Sequence, residues 1–414
     1  MSAMDFEVIK RCSTTRARVS RMRMPHGETM TPTFMPVATQ ATMKGVTPSQ
    51  IESVTPPITL ILNNTYHLSQ NPGTRVLDAC EGASHGYQGW RGNLLTDSGG
   101  FQMVSLVKLS RVTEEGVLFA NPYDPTLSSL LTPEKSMQIQ HSIGADIMMS
   151  LDDVVASLTT GERMEEAMWR SIRWLDRCIA EHERSGRTNR QNLFAIVQGG
   201  LDHDLREKCL RAMLEPEREA KLPGYAIGGL SGGEEKSVFW RIIAQCAKRL
   251  PENKPRYSMG IGYGEDLLVC AALGVDMADC VFPTRTARFG IGLTFSGPVN
   301  LRQTSMATDF NVIDPTCPCA TCLNGNGTPR ASLWSLVSKE TVGASAVTVH
   351  NLTYQSRLMD GARKAILEDR FPQYLIDFFD GYFKEKTNYP EWTVEALQSV
   401  GVDLLQGVPT RLQS

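Results

Sequence analysis

Three thiols stand together as Cys317-Pro-Cys319-Ala-Thr-Cys322, and thiolates so close are costly to leave idle and reactive. Zinc in closed structural sites takes a fourth nitrogen or sulfur ligand. His350 is the best downstream candidate, in a segment (Ala-Val-Thr-Val-His-Asn-Leu-Thr-Tyr-Gln) that reads as a strand running into a helix. His26, His67, His85, His141, His182 and His203 lie far upstream with no cysteine beside them. A Cys3His set leaves no vacancy for substrate or water, so the expected zinc is structural. A redox pair would leave a surplus thiol, and an iron–sulfur site would lack its fourth cysteine.

A second group of residues shares a position rather than a spacing. Asp97, Asp152, Gln198, Gly229, Gly260 and Asp279 fall at or just beyond the C-terminal ends of short apolar runs. The runs are 33–39, 58–64, 93–99, 145–152, 193–200, 225–230, 256–262 and 277–283. Nearly continuous apolar character marks strands buried on both faces, as in parallel sheets. Between them lie helix-like stretches such as 163–185, where Met168, Ile172, Leu175 and Ile179 recur at helical spacing. Strand–helix alternation repeated eight times predicts an α/β fold, a (β/α)8 barrel. A doubly wound open sheet is the runner-up, but the first strand is not followed by a G-x-G-x-x-G turn. In a barrel the strand ends converge on one mouth, where such enzymes keep their chemistry. One polar strand end could simply cap the next helix. Three aspartates and a glutamine around one mouth point instead to an active site.

With 414 residues, 41% of them hydrophobic and 21% charged, the chain can bury one large barrel or two ordinary domains. The expected division is a barrel with an N-terminal strand region over 1–303, a zinc-binding subdomain over 304–360 and a helical segment over 361–414. No apolar run is long enough to span a bilayer. The Arg-rich start resembles a transit peptide, but Asp5 and Glu7 oppose that, and the alternation in Ala-Arg-Val-Ser-Arg-Met-Arg-Met reads as a strand. Ten cysteines without a secretory signal point to a reducing compartment. The seven scattered ones are most simply core thiols. A cytoplasmic location is expected, with organelle-surface or nuclear association open. The net charge of −3 does not advertise nucleic-acid binding. Between Val281 and Lys364, however, eight basic residues face four acidic ones, which on charge alone is most simply a solvated surface.

These motifs, in this order, resemble the tRNA-guanine transglycosylase (queuine tRNA-ribosyltransferase) family, and within it the eukaryotic catalytic subunits. The likeness runs from about Phe6 to about Leu405. It rests on Leu95-Thr-Asp97-Ser-Gly-Gly-Phe101-Gln102, Leu151-Asp152-Asp153-Val, Val197-Gln198-Gly-Gly and Gly228-Gly229-Leu-Ser-Gly232-Gly-Glu234. It continues through Arg256-Tyr257-Ser-Met259-Gly260-Ile-Gly262, Asp279-Cys-Val-Phe-Pro-Thr284-Arg285-Thr-Ala-Arg288 and the cysteine cluster with His350. Ala278 departs from the aromatic expected before the nucleophile, and the Cys322–His350 spacer is slightly long.

The resemblance implies a base exchange: guanine at the wobble position of tRNAs with G-U-N anticodons is replaced by queuine through a covalent ribosyl-aspartyl RNA intermediate. Asp279 would be the nucleophile and Asp97 the proton carrier, the division of labour of retaining glycosidases. Asp152 would accept from guanine N1–H and the 2-amino group, while Gln198 and the Gly229 N–H would meet O6. Phe101 and Met259 would sandwich the base, and Ser98, Gly99 and Gly100 would complete the pocket. Gly232 would leave room for queuine's cyclopentenediol, or else merely serve a turn with Gly233. Gly260, Ile261, Gly262, Tyr263, Gly264, Glu265 and Asp266 would form a strand-end loop against RNA. Thr284, Arg285, Thr286, Ala287 and Arg288 would reach flanking nucleotides. One structural Zn(2+) per chain, no ATP or nicotinamide, and a heterodimer with a related non-catalytic subunit complete the expectation.

A non-catalytic partner subunit would keep fold and zinc but lose the chemistry, whereas Asp97 and Asp279 are both present here. A glycosidase or hydrolase barrel does not account for the Thr284–Arg288 segment or the guanine-shaped set. A purely structural RNA-binding scaffold is opposed by the acidic mouth.

Overall fold

In the computed structural model, residues 3–100, 110–120, 128–337 and 339–406 are described. Three antiparallel strands open the chain: β1 (Asp5–Arg11), β2 (Arg18–Met24) and β3 (Gly27–Thr31). The basic alternating stretch is β2, as its period implies. Arg21 and Arg23 face outward against Glu7, Glu28 and Asp5, while Val19 and Met22 are buried.

The eight apolar runs all become strands of one parallel sheet. They are β4 (Thr33–Pro36), β5 (Leu60–Asn63), β6 (Asn93–Thr96), β10 (Ile147–Met149), β11 (Asn192–Val197), β12 (Gly224–Ile227), β13 (Arg256–Ser258) and β14 (Met277–Cys280). A small antiparallel sheet, β7 (Ser110–Val112), β8 (Val117–Ala120) and β9 (Ser128–Leu131), is inserted after β6. Sheet order is β4-β14-β13-β12-β11-β10-β6-β5, and a parallel bridge from Val37 to Leu62 joins the two ends, with Ala38 N–H donating to Leu62 O at 2.7 Å. The result is the expected barrel. Its lumen is packed by Met35, Leu60, Leu62, Leu95, Ile147, Met149, Phe194, Ile196, Tyr257 and Met277. Met22 and Met24 of β2 join the same cluster, so the N-terminal sheet plugs the N-terminal end of the barrel.

An ion pair and a histidine–carboxylate hydrogen bond fasten this plug. Arg18 forks onto Asp276, Nε to Oδ1 at 2.9 Å and Nη2 to Oδ2 at 2.7 Å, with both side chains buried. Removing one partner from such a pair typically costs about 3–5 kcal/mol. At the other side His26 Nδ1 meets Asp146 Oδ1 at 2.7 Å, and His85 stacks on His26 with ring centroids 3.6 Å apart and planes 16° from parallel. Lone pairs in two parallel planes cannot converge on one ion. The group is therefore a hydrogen-bonded latch between plug and barrel, and the hydrogen bond to Asp146 raises the His26 pKa.

The helix anticipated over 163–185 spans Glu162–Arg184 and buries Met168, Ile172, Leu175 and Ile179. The segment around His350 differs from expectation. No strand forms there, because one helix runs from Thr341 to Leu367. Its residues from Val347 to Gln355 are all buried. Burial on every side gives a continuous run that periodicity alone cannot tell from a strand, and tertiary packing outweighs the β-branched residues. The boundary expected at residue 360 falls inside this helix, which continues to Leu367. Among the described residues, no helix is long and apolar enough to cross a membrane.

Candidate active site and metal centre

Barrel closure brings the strand-end residues to one mouth. Asp97 directly follows β6, Asp152 lies three residues beyond β10, and Gln198 directly follows β11. Gly229 lies just past β12, Met259 and Gly260 follow β13, and Asp279 is the penultimate residue of β14.

Asp152 and Gln198 form the floor. Ser98 Oγ donates to Asp152 Oδ1 at 2.7 Å, and Gln198 Nε2 donates to Asp152 Oδ2 at 2.6 Å. Burial raises the Asp152 carboxyl to about 6, helped by the charge of Asp153 and opposed by those two donors. It is thus mostly ionised at neutral pH and keeps lone pairs for a further donor edge. Two glycines are required by close approach. A Cβ on Gly100 would stand 2.7 Å from Asp152 Oδ1, and one on Gly229 would stand 2.4 Å from Gln198 Oε1. Gly229 also adopts φ +68°, and its N–H makes no hydrogen bond among the described residues. Arg206, fully buried, donates to the carbonyls of Val197, Gly200 and Gly228 and so fixes the ends of β11 and β12. Met259 lies over Gly228, its sulfur 3.4 Å from where a Cβ there would stand.

The two remaining carboxylates face the opening. Asp279 Oδ1 accepts from the hydroxyl of Tyr257 and, at 2.9 Å, from Gly260 N–H. Oδ2 has no partner among the described residues. Burial raises the Asp279 pKa above the usual carboxylate range, and its two donors hold it down. Asp97 accepts from Asn64 Nδ2 and, at 2.8 Å, from Thr65 N–H. Burial raises its carboxyl to about 7, with the charges of Asp279 and Asp152 pushing the same way against the N–H groups of Thr65 and Gly99. One carboxylate is pinned with a free oxygen, and the other is poised to exchange a proton near neutrality.

Phe101 lies outside the described residues. At Gly232 a Cβ would stand 2.7 Å from Ser157 Oγ, while the left-handed φ values of this turn fall on Gly233 (+100°) and Ser231 (+61°). Glu234 accepts from the N–H groups of Ser231 and Gly232 at 2.6 and 2.9 Å, which holds this loop in shape.

The segments expected against RNA are only partly available. The loop after β13 ends early, because Gly264–Ala272 is a helix that takes in Gly264, Glu265 and Asp266. Ile261, Gly262, Gly264 and Asp266 are buried, and Glu265 is half-buried with its carboxyl raised to about 7 by burial. Phe282–Arg288 is likewise a helix, turning Thr284 and Ala287 inward and Arg285 and Arg288 outward. Gly260, Tyr263, Arg285 and Arg288 are the exposed members of the two segments. Elsewhere in the basic stretch, Arg330, Arg357, Arg363 and Lys364 are ion-paired to Asp309, Asp314 and Asp360. Among the described residues Arg285, Arg288, Arg302 and Lys339 form no ion pair, and of these Arg285 and Arg288 lie on the helix that follows Asp279.

Asn64, Thr65, Tyr257, Ser157 and Arg206 were not singled out from sequence. Asn64 and Thr65 stand at the end of the second apolar run, the same position that marked the others, so that signal was available. Tyr257 lies inside a run, where one residue gives no sign of facing the lumen.

Cys317, Cys319, Cys322 and His350 converge, all buried, with their ligand atoms within 4.8 Å of one another. His350 Nδ1 lies 3.3 Å from Cys322 Sγ and 3.8 Å from Cys319 Sγ. These bracket the roughly 3.5 Å edge of a tetrahedron with metal–sulfur and metal–nitrogen bonds of about 2.3 and 2.0 Å. Nε2 is 2.8 Å from Leu293 O, an outer partner that fixes the tautomer and leaves Nδ1 to bind. The donor set fits a closed four-coordinate metal site.

The chain is similar to known proteins over nearly its whole length. A family model described as Queuine tRNA-ribosyltransferase matches residues 12–384. A queuine tRNA-ribosyltransferase catalytic subunit from Schizosaccharomyces pombe is 54% identical over 408 residues, 97% of this chain and 98% of the relative. The corresponding subunit of Caenorhabditis elegans is 44% identical over 415 residues, 97% and 100% respectively. A queuine tRNA-ribosyltransferase of Bacillus cytotoxicus is 41% identical over 389 residues, 94% and 99%. With a matching model over most of its length and these strand-end carboxylates in place, the chain belongs to the queuine tRNA-ribosyltransferase family.

Proposed function

We propose that this chain exchanges guanine at the wobble position of tRNAs with G-U-N anticodons for queuine. The observation that carries this is the pinning of Asp279 by Tyr257 and Gly260 through one oxygen, with the other left free beside a carboxyl poised near pH 7. Asp279 Oδ2 attacks C1′ of the nucleotide as the glycosidic bond to guanine breaks. Asp97 gives its proton to the departing base, takes one from incoming queuine, and the new base displaces Asp279 from C1′. Atoms balance without ATP or a redox cofactor, since one glycosidic bond replaces another.

Asp152 reads the two-donor edge of guanine, and Gln198 with the Gly229 N–H meets O6. Phe101 and Met259 sandwich the ring, with Ser98, Gly99 and Gly100 shaping the pocket. The anticodon loop suits the site because its bases are unpaired and splay out at low cost. Arg285, Arg288 and Tyr263 are the exposed side chains positioned to meet flanking nucleotides. The enzyme works in the cytoplasm as a heterodimer with a related non-catalytic barrel.

Incubating the chain and its partner subunit with tRNA bearing labelled guanine should release the label when queuine is added. Rapid denaturation during turnover should trap a protein–RNA adduct. Label release without any trappable adduct would remove the covalent step. No release from a G-U-N tRNA would remove the exchange itself.

The metal is zinc, in a structural role, held by three thiolates and His350, a closed set with no vacancy for substrate. Purified protein should contain one zinc per chain, and Cys319→Ala should lose metal and fold stability together. The apparent binding free energy of such zinc, about 10–16 kcal/mol in small domains, is comparable to the stability of a whole domain. A metal-free preparation with unchanged melting temperature would contradict this role, and chelation that stopped turnover while leaving the melt intact would make the zinc catalytic.

A further inference from the structure

Gln355 lies in the Thr341–Leu367 helix, 1% exposed, and its Nε2 donates to Gly262 O at 2.6 Å. Its Oε1 is buried with no hydrogen-bond partner among the described residues. Leaving a buried carbonyl unpaired typically costs about 1–3 kcal/mol, a penalty that a methionine of similar length would not carry. What the amide adds over methionine is one donor, aimed at a single backbone carbonyl in the loop after β13.

That loop is the one that pins the nucleophile, since Gly260 N–H donates to Asp279 Oδ1 at 2.9 Å. Two residues on, the backbone of Gly262 lies directly against the chain beyond Asp279. A Cβ on Gly262 would stand 2.6 Å from Cys280 Cβ and 2.7 Å from Phe282 Cβ. At Gly264, where the next helix begins, a Cβ would stand 2.9 Å from the Tyr354 hydroxyl. The loop is thus seated on the Thr341–Leu367 helix through Tyr354 and Gln355, and against Asp279 and its neighbour through Gly260 and Gly262.

The same helix also holds the segment that follows the nucleophile. Asn351 stands four residues before Gln355 and so on the same face. It donates to the carbonyls of Pro283 and Ile291 at 3.0 and 2.9 Å, and accepts from Leu293 N–H at 2.9 Å. Its neighbour His350 meets Leu293 O through Nε2 and faces the Cys319 and Cys322 thiols through Nδ1. One helix, fixed in rotation at His350, therefore reaches both segments packed around Asp279.

We propose that Gln355 is a positioning residue for the nucleophile, holding the Gly260–Gly262 loop so that Gly260 N–H stays on Asp279 Oδ1 and Oδ2 stays free to attack. This rests on the base-exchange reading above. Gln355 is buried behind the loop and acts only through it.

The test compares Gln355→Met with the parent chain, each zinc-loaded and assembled with the partner subunit. Labelled-guanine release from tRNA should lose about 10- to 100-fold in kcat, the cost of misplacing a reacting group by about 1 Å, with KM for tRNA within about threefold. Gly260 N–H lowers the Asp279 pKa, so weakening that bond should move the acid limb of the pH profile to higher pH. The alkaline limb, set by Asp97, and the zinc content should stay as they are. Gln355→Glu keeps the length, and at pH 6 its buried carboxyl is protonated and can donate to Gly262 O, so kcat there should remain within about threefold of the parent. At pH 9, with that carboxyl ionised, its kcat should fall to the level of Gln355→Met. Unchanged kcat and acid limb in Gln355→Met would overturn the assignment. So would loss of zinc together with activity, or a lower kcat with the acid limb in place, because the glutamine would then serve packing alone. If Gln355→Met does not fold, Gln355→Glu carries the test, and a constant kcat ratio to the parent between pH 6 and pH 9 overturns the assignment. Failure of the parent chain to release guanine would instead strike the base-exchange reading.

Discussion

Asp279→Asn should bind tRNA as the parent chain does and lose base exchange by more than about 10³-fold, with no adduct on a denaturing gel. The amide retains what holds the site together: its oxygen can still accept from the Tyr257 hydroxyl and Gly260 N–H, which use only Oδ1 of the aspartate. What changes is Oδ2, which becomes an amide nitrogen without nucleophilic lone pairs. The burial that raises the Asp279 pKa acts on a charge, so the neutral variant should melt no lower than wild type at pH 8. Asp97 also feels the charge of Asp279, and its own pKa should fall in the variant. Exchange above a few per cent of wild type, with an adduct still present, would transfer the nucleophile's role to another carboxylate.

Asp97→Asn should retain the adduct-forming nucleophile and slow exchange by about 10²–10⁴-fold, the usual worth of a positioned acid–base group. The pH profile gives the sharper readout. Release of guanine needs Asp279 ionised and Asp97 protonated. In the wild type this half-reaction should rise as pH passes the raised pKa of Asp279, and fall as pH rises through about 7, where Asp97 loses its proton. In Asp97→Asn the alkaline fall should disappear. Stability should move oppositely to activity. The Asp97 carboxyl is held above its ordinary range, so its contribution is fully present below that range and is lost as pH rises through about 7. The asparagine variant, with no charge to desolvate, should therefore gain on wild type at pH 8. Part of this gain is offset, because its amide must avoid a second donor in Asn64. A persisting alkaline limb near pH 7 in Asp97→Asn would mean that another group carries the proton.

Much of this molecule is determined by sequence alone. Each of the eight apolar runs is a barrel strand, and Asp97, Asp152, Gln198, Gly229, Gly260 and Asp279 stand at its mouth because a residue's place at a strand end is a property of its neighbours in the chain. The ligands Cys317, Cys319 and Cys322 were legible for the same reason, since thiolate chemistry leaves few uses for that spacing. Tertiary structure decided what depends on contacts between distant segments. Residues 346–355 look like the start of a strand but are helix, because burial on all sides erases the 3.6-residue signal. Of the loop residues expected at the RNA, Thr284 and Ala287 turn inward once Phe282–Arg288 coils, which no local pattern distinguished from Arg285 and Arg288. The oxygen of Asp279 that stays free depends on Tyr257 from the adjacent strand. The proton affinity of Asp97 depends on burial and on Thr65, Asp279 and Asp152, brought to it from three other strands. Composition sets which residues carry charge, but the cost of burying a charge exists only after the barrel has closed around it.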